Sequence, residues 1–160
     1  MKPLIFLDVD GVLNRCEYTP SMCRGLQDNL VVNLVGIVRA TEAGIVVSST
    51  WRLYPHLLHR LRDRLLESHI KIIGQTPELV ESTKSGLFTA KERGVEIQHW
   101  LDDQLTKPRS PLSLAFDLKR FVILDDGSDM AHLKDHLVQT DSFTGLTPEK
   151  ATEAIKLLNP

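Results

Sequence analysis

Three short apolar runs in this 160-residue chain end abruptly in residues whose side chains carry oxygen atoms. These runs and the residues after them are Leu4–Leu7 before Asp8-Val-Asp10, Ile45–Val47 before Ser48-Ser49-Thr50, and Phe121–Leu124 before Asp125-Asp126. A continuous apolar run ended by a turn signal is typical of a strand buried on both faces of a parallel sheet. Ligands of such sheets bind beyond the carboxyl ends of the strands. The sequence therefore predicts an α/β protein whose site lies where these side chains meet.

The segments between the apolar runs have helical spacing, as parallel strands require. Apolar residues predict helices from Leu30 to Val38 with Gly44 as C-cap, from Leu57 to Leu66, and from about Arg93 onwards. Thr147-Pro148 predicts the start of a last helix that runs to about Leu158. Two further strands are predicted at 70–73 and 137–138, which gives about five in all. We expect residues 14–26 and 74–92 to be irregular.

Length and composition place the chain among ordinary globular proteins. One domain spanning residues 1–160 is expected, with no large cap domain. The net charge of −2 excludes a globally basic nucleic-acid binder. The two cysteines, Cys16 and Cys23, are expected to be unreactive loop thiols, and no apolar run is long enough for a membrane span. These features predict a cytoplasmic protein that is a monomer and has no membrane partner.

The acidic residues at the strand ends predict a metal site. Asp8, Asp10, Asp125 and Asp126 would bring several carboxylates to one edge of the sheet, where their mutual repulsion favours a bound cation. Mg²⁺ fits better than zinc because no cluster of His and Cys accompanies them. The alternative is that each Asp caps a turn or a helix. The combination of three such strand ends favours the metal site.

The chain resembles the haloacid dehalogenase (HAD) superfamily of phosphotransferases. The resemblance rests on Asp8-Val-Asp-Gly-Val-Leu13 after the first strand, on Ser48 after the second, and on Asp125-Asp126. Further runs, Ser48-Ser-Thr-Trp-Arg52 and Glu96-Ile-x-x-Trp-Leu101, are similar to the small HAD domains of Swiss-Army-knife RNA-repair proteins. Together these matches span Leu4 to about Leu158.

This resemblance implies a three-layer, Rossmann-like fold and a Mg²⁺-dependent phosphatase. Asp8 would be the nucleophile that forms an aspartyl-phosphate, and Asp10 the general acid and base. Ser48 would hydrogen-bond the transferring phosphoryl group. A cation before the last acidic motif would neutralise its charge; Lys91 and Arg93 are both candidates, and Arg93 is favoured because it opens a helix.

The metal ligands implied by the resemblance are Asp8, the backbone carbonyl of Asp10, and Asp125. Either Asp126 or Asp129 would assist Asp125. Ser49, Arg52 and Lys91 are expected to bind substrate, with Arg52 a candidate for a bidentate phosphate contact.

The predicted substrate is a 3′-phosphorylated nucleic-acid end. Arg52 with Arg60, Arg62 and Arg64 could follow a nucleic-acid backbone, although a solvated helix face is the simpler interpretation. Nucleotides, small phosphorylated metabolites, a phosphoprotein and a catalytically silent HAD-like binding module remain alternatives. A receiver domain fits less well, because it accepts phosphate on an Asp that ends a middle strand, where this chain has Ser48 and Gly74.

Overall fold

A five-stranded sheet forms the centre of the molecule. The computed structural model describes residues 1–18, 25–82, 88–106 and 111–159. The strands, in chain order, are β1 Lys2–Leu7, β2 Gly44–Val47, β3 Ile72–Gln75, β4 Val80–Ser82, β5 Phe88–Ala90, β6 Phe116–Asp125 and β7 Leu137–Gln139. The main sheet has the order β3-β2-β1-β6-β7, and all of its strand pairs are parallel. The predicted α/β class and five-stranded parallel sheet are confirmed.

Successive side chains of the central strands point into two separate cores. On β1, Ile5 and Leu7 belong to one core, and Leu4 and Phe6 belong to the other. All four side chains are fully buried. This alternation, with apolar residues on both faces, explains why the strands appear in the sequence as continuous apolar runs.

Helices cover both faces of the sheet and complete the three layers. They are α1 Asp28–Thr41, α2 Pro55–Leu66, α3 Arg93–Thr106, α4 Pro111–Ala115 and α5 Pro148–Leu158, with 3₁₀ turns at Thr50–Leu53 and Ala131–His136. Apolar side chains of α1, α2 and α5 fill the first core, and those of α3 fill the second. Within the described residues, no helix is long and apolar enough to cross a membrane.

The structure corrects several local predictions. Residues 74–92 are not wholly irregular, because β4 and β5 pair as an antiparallel hairpin. Helix α1 ends at Thr41 and is capped by Glu42, whose φ of 57° is left-handed, and Gly44 instead begins β2. Residues 19–24 of the segment expected to be irregular, which include Cys23, lie outside the described residues, as do residues 107–110. Cys16 is disulfide-bonded, so the prediction of a free thiol there is wrong and cysteine usage no longer supports a cytoplasmic location.

Two glycines in helices provide a direct test of this packing. A methyl group on Gly94 would overlap the backbone carbonyl of Met130, whereas one on Gly36, in the middle of α1, would meet no atom within 4 Å. We expect Gly94→Ala to lower the free energy of unfolding by about 1–3 kcal/mol through overpacking. Gly36→Ala, the matched control, should raise it by roughly 0.5–1 kcal/mol through helix propensity. Urea unfolding measures both, and an equally stable Gly94→Ala variant would contradict this account of the packing between α3 and Met130.

Candidate active site

Asp8 lies at the carboxyl end of the central strand, β1. Its backbone N–H continues the ladder by donating to the carbonyl of Leu124 on β6, at 2.9 Å. On the other side, the backbone N–H of Ser48 donates to the carbonyl of Leu7 at 2.9 Å. The residues that follow β1, β2 and β6 therefore meet at one edge of the sheet, as the sequence predicts.

Three carboxylates form a tight group at this edge. Asp8, Asp125 and Asp126 each offer an oxygen atom, and these oxygens lie within 4.8 Å of one another. Asp8 and Asp125 are buried, and Asp126 is partly buried. Among the described residues, Asp125 Oδ2 finds no hydrogen-bond donor although it is inaccessible to solvent. A set of carboxylate oxygens with an unpartnered buried member fits a hard divalent cation such as Mg²⁺.

The pKa values of these carboxyl groups reflect their burial and mutual repulsion. Burial, and then the charge of Asp125, raise the pKa of Asp8 from 3.8 to about 7. Arg93 and hydrogen bonds from Ser49 and the Val9 backbone act in the opposite direction. Burial also raises the pKa of Asp125 to about 6, against the effect of Arg93. The group is therefore costly to ionise without a compensating cation.

Gly11 makes room for this group of carboxylates. Its φ of +75° is left-handed, and a methyl group at this position would overlap the carboxylate of Asp126. A side chain on residue 11 would therefore displace Asp126. The glycine of the Asp-Val-Asp-Gly motif thus has a steric role at this edge of the sheet.

The carboxylate of Asp10 lies outside the group of three and is held by two donors. Asn14 Nδ2 donates to Asp10 Oδ1 at 2.7 Å, and the indole N–H of Trp51 donates to Asp10 Oδ2 at 3.0 Å. Asn14 Oδ1 in turn accepts from the backbone N–H of Gly11 at 3.0 Å. In this structure the side chain of Asp10 is therefore not among the carboxylates that could share a cation. Trp51 is also buried in the first core. No pattern in the sequence indicated a role at the site for Asn14 or for the indole N–H of Trp51.

The two serines after β2 have different environments. Ser48 is fully buried, and its Oγ has no hydrogen-bond partner among the described residues. Ser49 hydrogen-bonds Asp8 through its side chain, and its Oγ accepts from the backbone N–H of Trp51 at 3.3 Å. The Ser48 hydroxyl is thus buried and unsatisfied among the described residues, whereas Ser49 holds Asp8 and caps the 3₁₀ turn.

Arg93 is the cation that faces the acidic group. Its Nε lies 3.7 Å from Asp125 Oδ2, and its charge lowers the pKa of both Asp8 and Asp125. Lys91 lines a neighbouring cleft of about 160 Å³ together with Arg93. Asp129 accepts from the backbone N–H of Arg93 through Oδ2 at 3.0 Å, and so fixes the start of α3. The structure thus brings Asp126, and not Asp129, into the group with Asp125.

The structure does not support a phosphate-binding role for Arg52. Its guanidinium is buried and has five N–H donors. The five acceptors, at 2.8–3.0 Å, are the carbonyls of Ser48, Ser49, Thr76 and Pro77 and the carboxylate of Glu96. No donor remains for a substrate. Glu96 was not predicted to belong to the site. Its place in the Glu-Ile-x-x-Trp-Leu run was the only feature of the sequence that could have indicated such a role.

The remaining arginines do not join Arg52 in one basic face. Arg64 pairs with Asp28 at 2.9 Å and with Glu67 at 2.8 Å. Arg60 and Arg64 line one groove, which Asp63 also lines. Arg62 lines a different groove, at the start of β3 and therefore at the opposite edge of the sheet. Since acidic side chains accompany Arg60 and Arg64, and Arg62 lies apart from them, the solvated helix face is the better description.

Comparison with known proteins identifies the family. Residues 4–151 match the family described as the HAD domain in Swiss Army Knife RNA repair proteins. No curated protein and no solved structure matched the chain. The matched region contains every residue of the acidic group together with Ser48 and Arg93, and its fold is the α/β architecture described above. With Asp8 after the first strand and the Asp125–Asp126 pair at the end of the fourth strand of the main sheet, this chain belongs to the HAD domain family of Swiss Army Knife RNA repair proteins.

Proposed function

We propose that the protein is a Mg²⁺-dependent phosphomonoesterase that acts through an aspartyl-phosphate on Asp8. The observation that carries this proposal is the position of Asp8, buried at a strand end within 4.8 Å of two further carboxylates and influenced by the charge of Arg93. When bound, Mg²⁺ would be held by Asp8, Asp125 and Asp126 and would offset the negative charge of a phosphoryl group.

The side chains around Asp8 suit a two-step transfer. A carboxylate oxygen of Asp8 attacks phosphorus, and the bond from phosphorus to the leaving oxygen breaks as Asp10 donates a proton to that oxygen. Asp10 then takes a proton from water, which attacks phosphorus and releases phosphate and free Asp8. Asn14 and Trp51 fix the Asp10 carboxylate for both transfers. Ser48 Oγ and Arg93 would contact the phosphoryl oxygens.

A nucleic-acid end with a 3′-phosphate is the substrate class we propose. The family description names RNA repair, and the described residues form no large cap that could enclose a small substrate. The exposed aromatic side chains of the described residues also lie on segments that follow the carboxyl ends of strands. They are Tyr18 after β1, Tyr54 after β2 and Phe143 after β7, exposed to 86%, 53% and 52%. Aromatic rings at such a site can stack against unpaired bases.

The proposal also covers the oligomeric state, the location and the partners of the protein. The protein would work as a monomer on a phosphorylated substrate, in the cytoplasm and without a membrane partner. Each of these points stays a prediction.

Asn substitutions should separate the roles of the two aspartates of the first motif. Asp8→Asn should abolish hydrolysis of p-nitrophenyl phosphate, because the amide is not a nucleophile at phosphorus. Asp10→Asn should slow hydrolysis by about 10²–10⁴-fold, the usual contribution of acid–base catalysis, and leave Mg²⁺ binding intact. Asp102→Asn, an exposed change on α3, is the matched control and should retain full turnover. Near-normal hydrolysis by Asp8→Asn would contradict the covalent role.

Mg²⁺ should stabilise the protein more strongly at high pH. The raised pKa values of Asp8 and Asp125 mean that the folded metal-free protein keeps protons that the unfolded chain releases between about pH 4 and 7. Stability without metal should therefore fall as pH rises through this window. Mg²⁺ at about 100 times its Kd should raise Tm by roughly 5–10 °C at pH 8, and by much less at pH 5, where protons compete for the same oxygens.

Asp125→Asn tests whether this increase comes from the acidic group. The variant removes one of the repelling charges, so its metal-free Tm at pH 8 should be no lower than that of the wild type. The increase caused by Mg²⁺ should be lost. An unchanged increase in differential scanning fluorimetry would show that Mg²⁺ binds elsewhere.

The substrate class can be tested by parallel phosphate-release assays. Oligonucleotides with a 3′-phosphate should be hydrolysed faster than those with a 5′-phosphate, mononucleotides or sugar phosphates. Tyr54→Ala should lower kcat/KM for the oligonucleotide by about fivefold or more, the worth of one stacked base, and leave p-nitrophenyl phosphate hydrolysis unchanged. Equal or faster hydrolysis of mononucleotides would instead favour the small-substrate alternative.

A further inference from the structure

A buried ion pair lies beside the site and is not explained by the proposed chemistry. Arg52 Nη2 donates to Glu96 Oε2 at 2.8 Å, and the two side chains are only 3% and 5% exposed. Such pairs are seldom more stable than apolar side chains of the same size, because desolvation opposes their attraction. The contribution of this pair therefore lies in the groups that the two charges hold in place.

Arg52 ties together the two loops that follow β2 and β3. Its Nη1 donates to the carbonyls of Ser48 and Ser49 at 2.8 and 2.9 Å. Its Nε and Nη2 donate to the carbonyls of Thr76 and Pro77 at 2.9 and 3.0 Å. The backbone that carries the Ser48 hydroxyl is therefore fixed by a guanidinium whose charge is balanced by Glu96.

Glu96 contacts the cation of the site as well. Its Oε1 accepts from the backbone N–H of Leu79 at 3.0 Å, and its Oε2 lies 3.7 Å from Arg93 Nη1. On its other side, Arg93 Nε lies 3.7 Å from Asp125 Oδ2. The guanidinium of Arg93 thus lies between two buried carboxylates, one belonging to the acidic group and one outside it.

We propose that Glu96 is a positioning residue that keeps Arg93 available to the phosphoryl group. Without a carboxylate on the α3 side, the attraction of Asp125 and Asp8 would draw Arg93 fully onto the acidic group, where it would neutralise those carboxylates. With Glu96 opposing them, Arg93 is held at 3.7 Å from each side and retains donors for phosphoryl oxygens. The inference rests on the proposed function in one respect: the ligand that Arg93 contacts is taken to be the phosphoryl group of the substrate.

The same pair couples the two side chains that would face the phosphoryl group. Arg52 holds the loop of Ser48, and Glu96 holds both Arg52 and Arg93. Replacement of Glu96 would therefore have two effects: a loss of stability from the unpaired charge of Arg52, and a loss of phosphate affinity through Arg93. The two effects can be measured separately.

A double-mutant cycle with inorganic phosphate as the probe tests the role of Glu96. Phosphate Kd is measured by isothermal titration calorimetry with Mg²⁺ present for the wild type, Glu96→Gln, Arg93→Lys and the double variant. Each single change should weaken binding by about tenfold, as expected for one charge-assisted hydrogen bond. If Glu96 acts through Arg93, Glu96→Gln should weaken binding by no more than about twofold in the Arg93→Lys background. Glu92→Gln, an exposed change of the same charge next to Arg93, should leave Kd unchanged.

Thermal unfolding separates the effect of Glu96 on phosphate binding from its effect on the stability of the fold. Glu96→Gln should lower Tm equally in both backgrounds, since the pair with Arg52 is lost in each. A tenfold loss of phosphate affinity in both backgrounds, or none in either, would overturn the inference, as would a wild type that binds no phosphate. If Glu96→Gln does not fold, the cycle is run with Arg52→Gln/Glu96→Gln, which leaves no buried unpaired charge. The two claims can fail separately. If the effects of the two substitutions on phosphate Kd are non-additive but the protein hydrolyses no phosphomonoester, the proposed function is refuted and the inference on Glu96 stands.

Discussion

The parallel register of β1 between β2 and β6 is the constraint on which the site depends. Leu7 pairs with Val47 on one side and with Leu124 on the other, so the three strands end within one residue of the same level. The next residues along the chain are Asp8 and Asp125, and their carboxylates are brought together in a largely buried region. Backbone hydrogen bonds along three strands thus enforce a repulsion that the side chains alone would avoid.

Compensation for this repulsion comes from several elements of the fold. Arg93 at the start of α3, the backbone N–H of Gly127 and the side chain of Ser49 each stabilise an ionised carboxylate. Together they are insufficient, because the pKa values of Asp8 and Asp125 remain raised to about 7 and 6. A structure that leaves buried carboxyl groups only partly compensated is characteristic of a functional site, where stability is given up for ligand binding.

The sequence predicts the central sheet well and the surroundings of the site less well. The strands near Ile5, Val46 and Ile123 are predicted because they are buried on both faces. The β4–β5 hairpin was missed because its strands are only three residues long and Val80–Ser82 is exposed. Arg52 was assigned to substrate because nothing in its local sequence shows that carbonyl groups 24 and 25 residues further along surround its guanidinium.

Asp10 shows why two aspartates separated by one residue can have different roles. The left-handed turn at Gly11 follows Asp10, and the hydrogen bonds from Asn14 and Trp51 hold the Asp10 carboxylate beside the three clustered carboxylates but not among them. Asp8, in contrast, continues the strand and stays in the buried group. Proton transfer needs a carboxyl group that a cation does not hold, and nucleophilic attack needs one that is fixed at the phosphoryl group. One tight turn therefore gives two aspartates that lie two residues apart different surroundings, as the proposed division of roles requires.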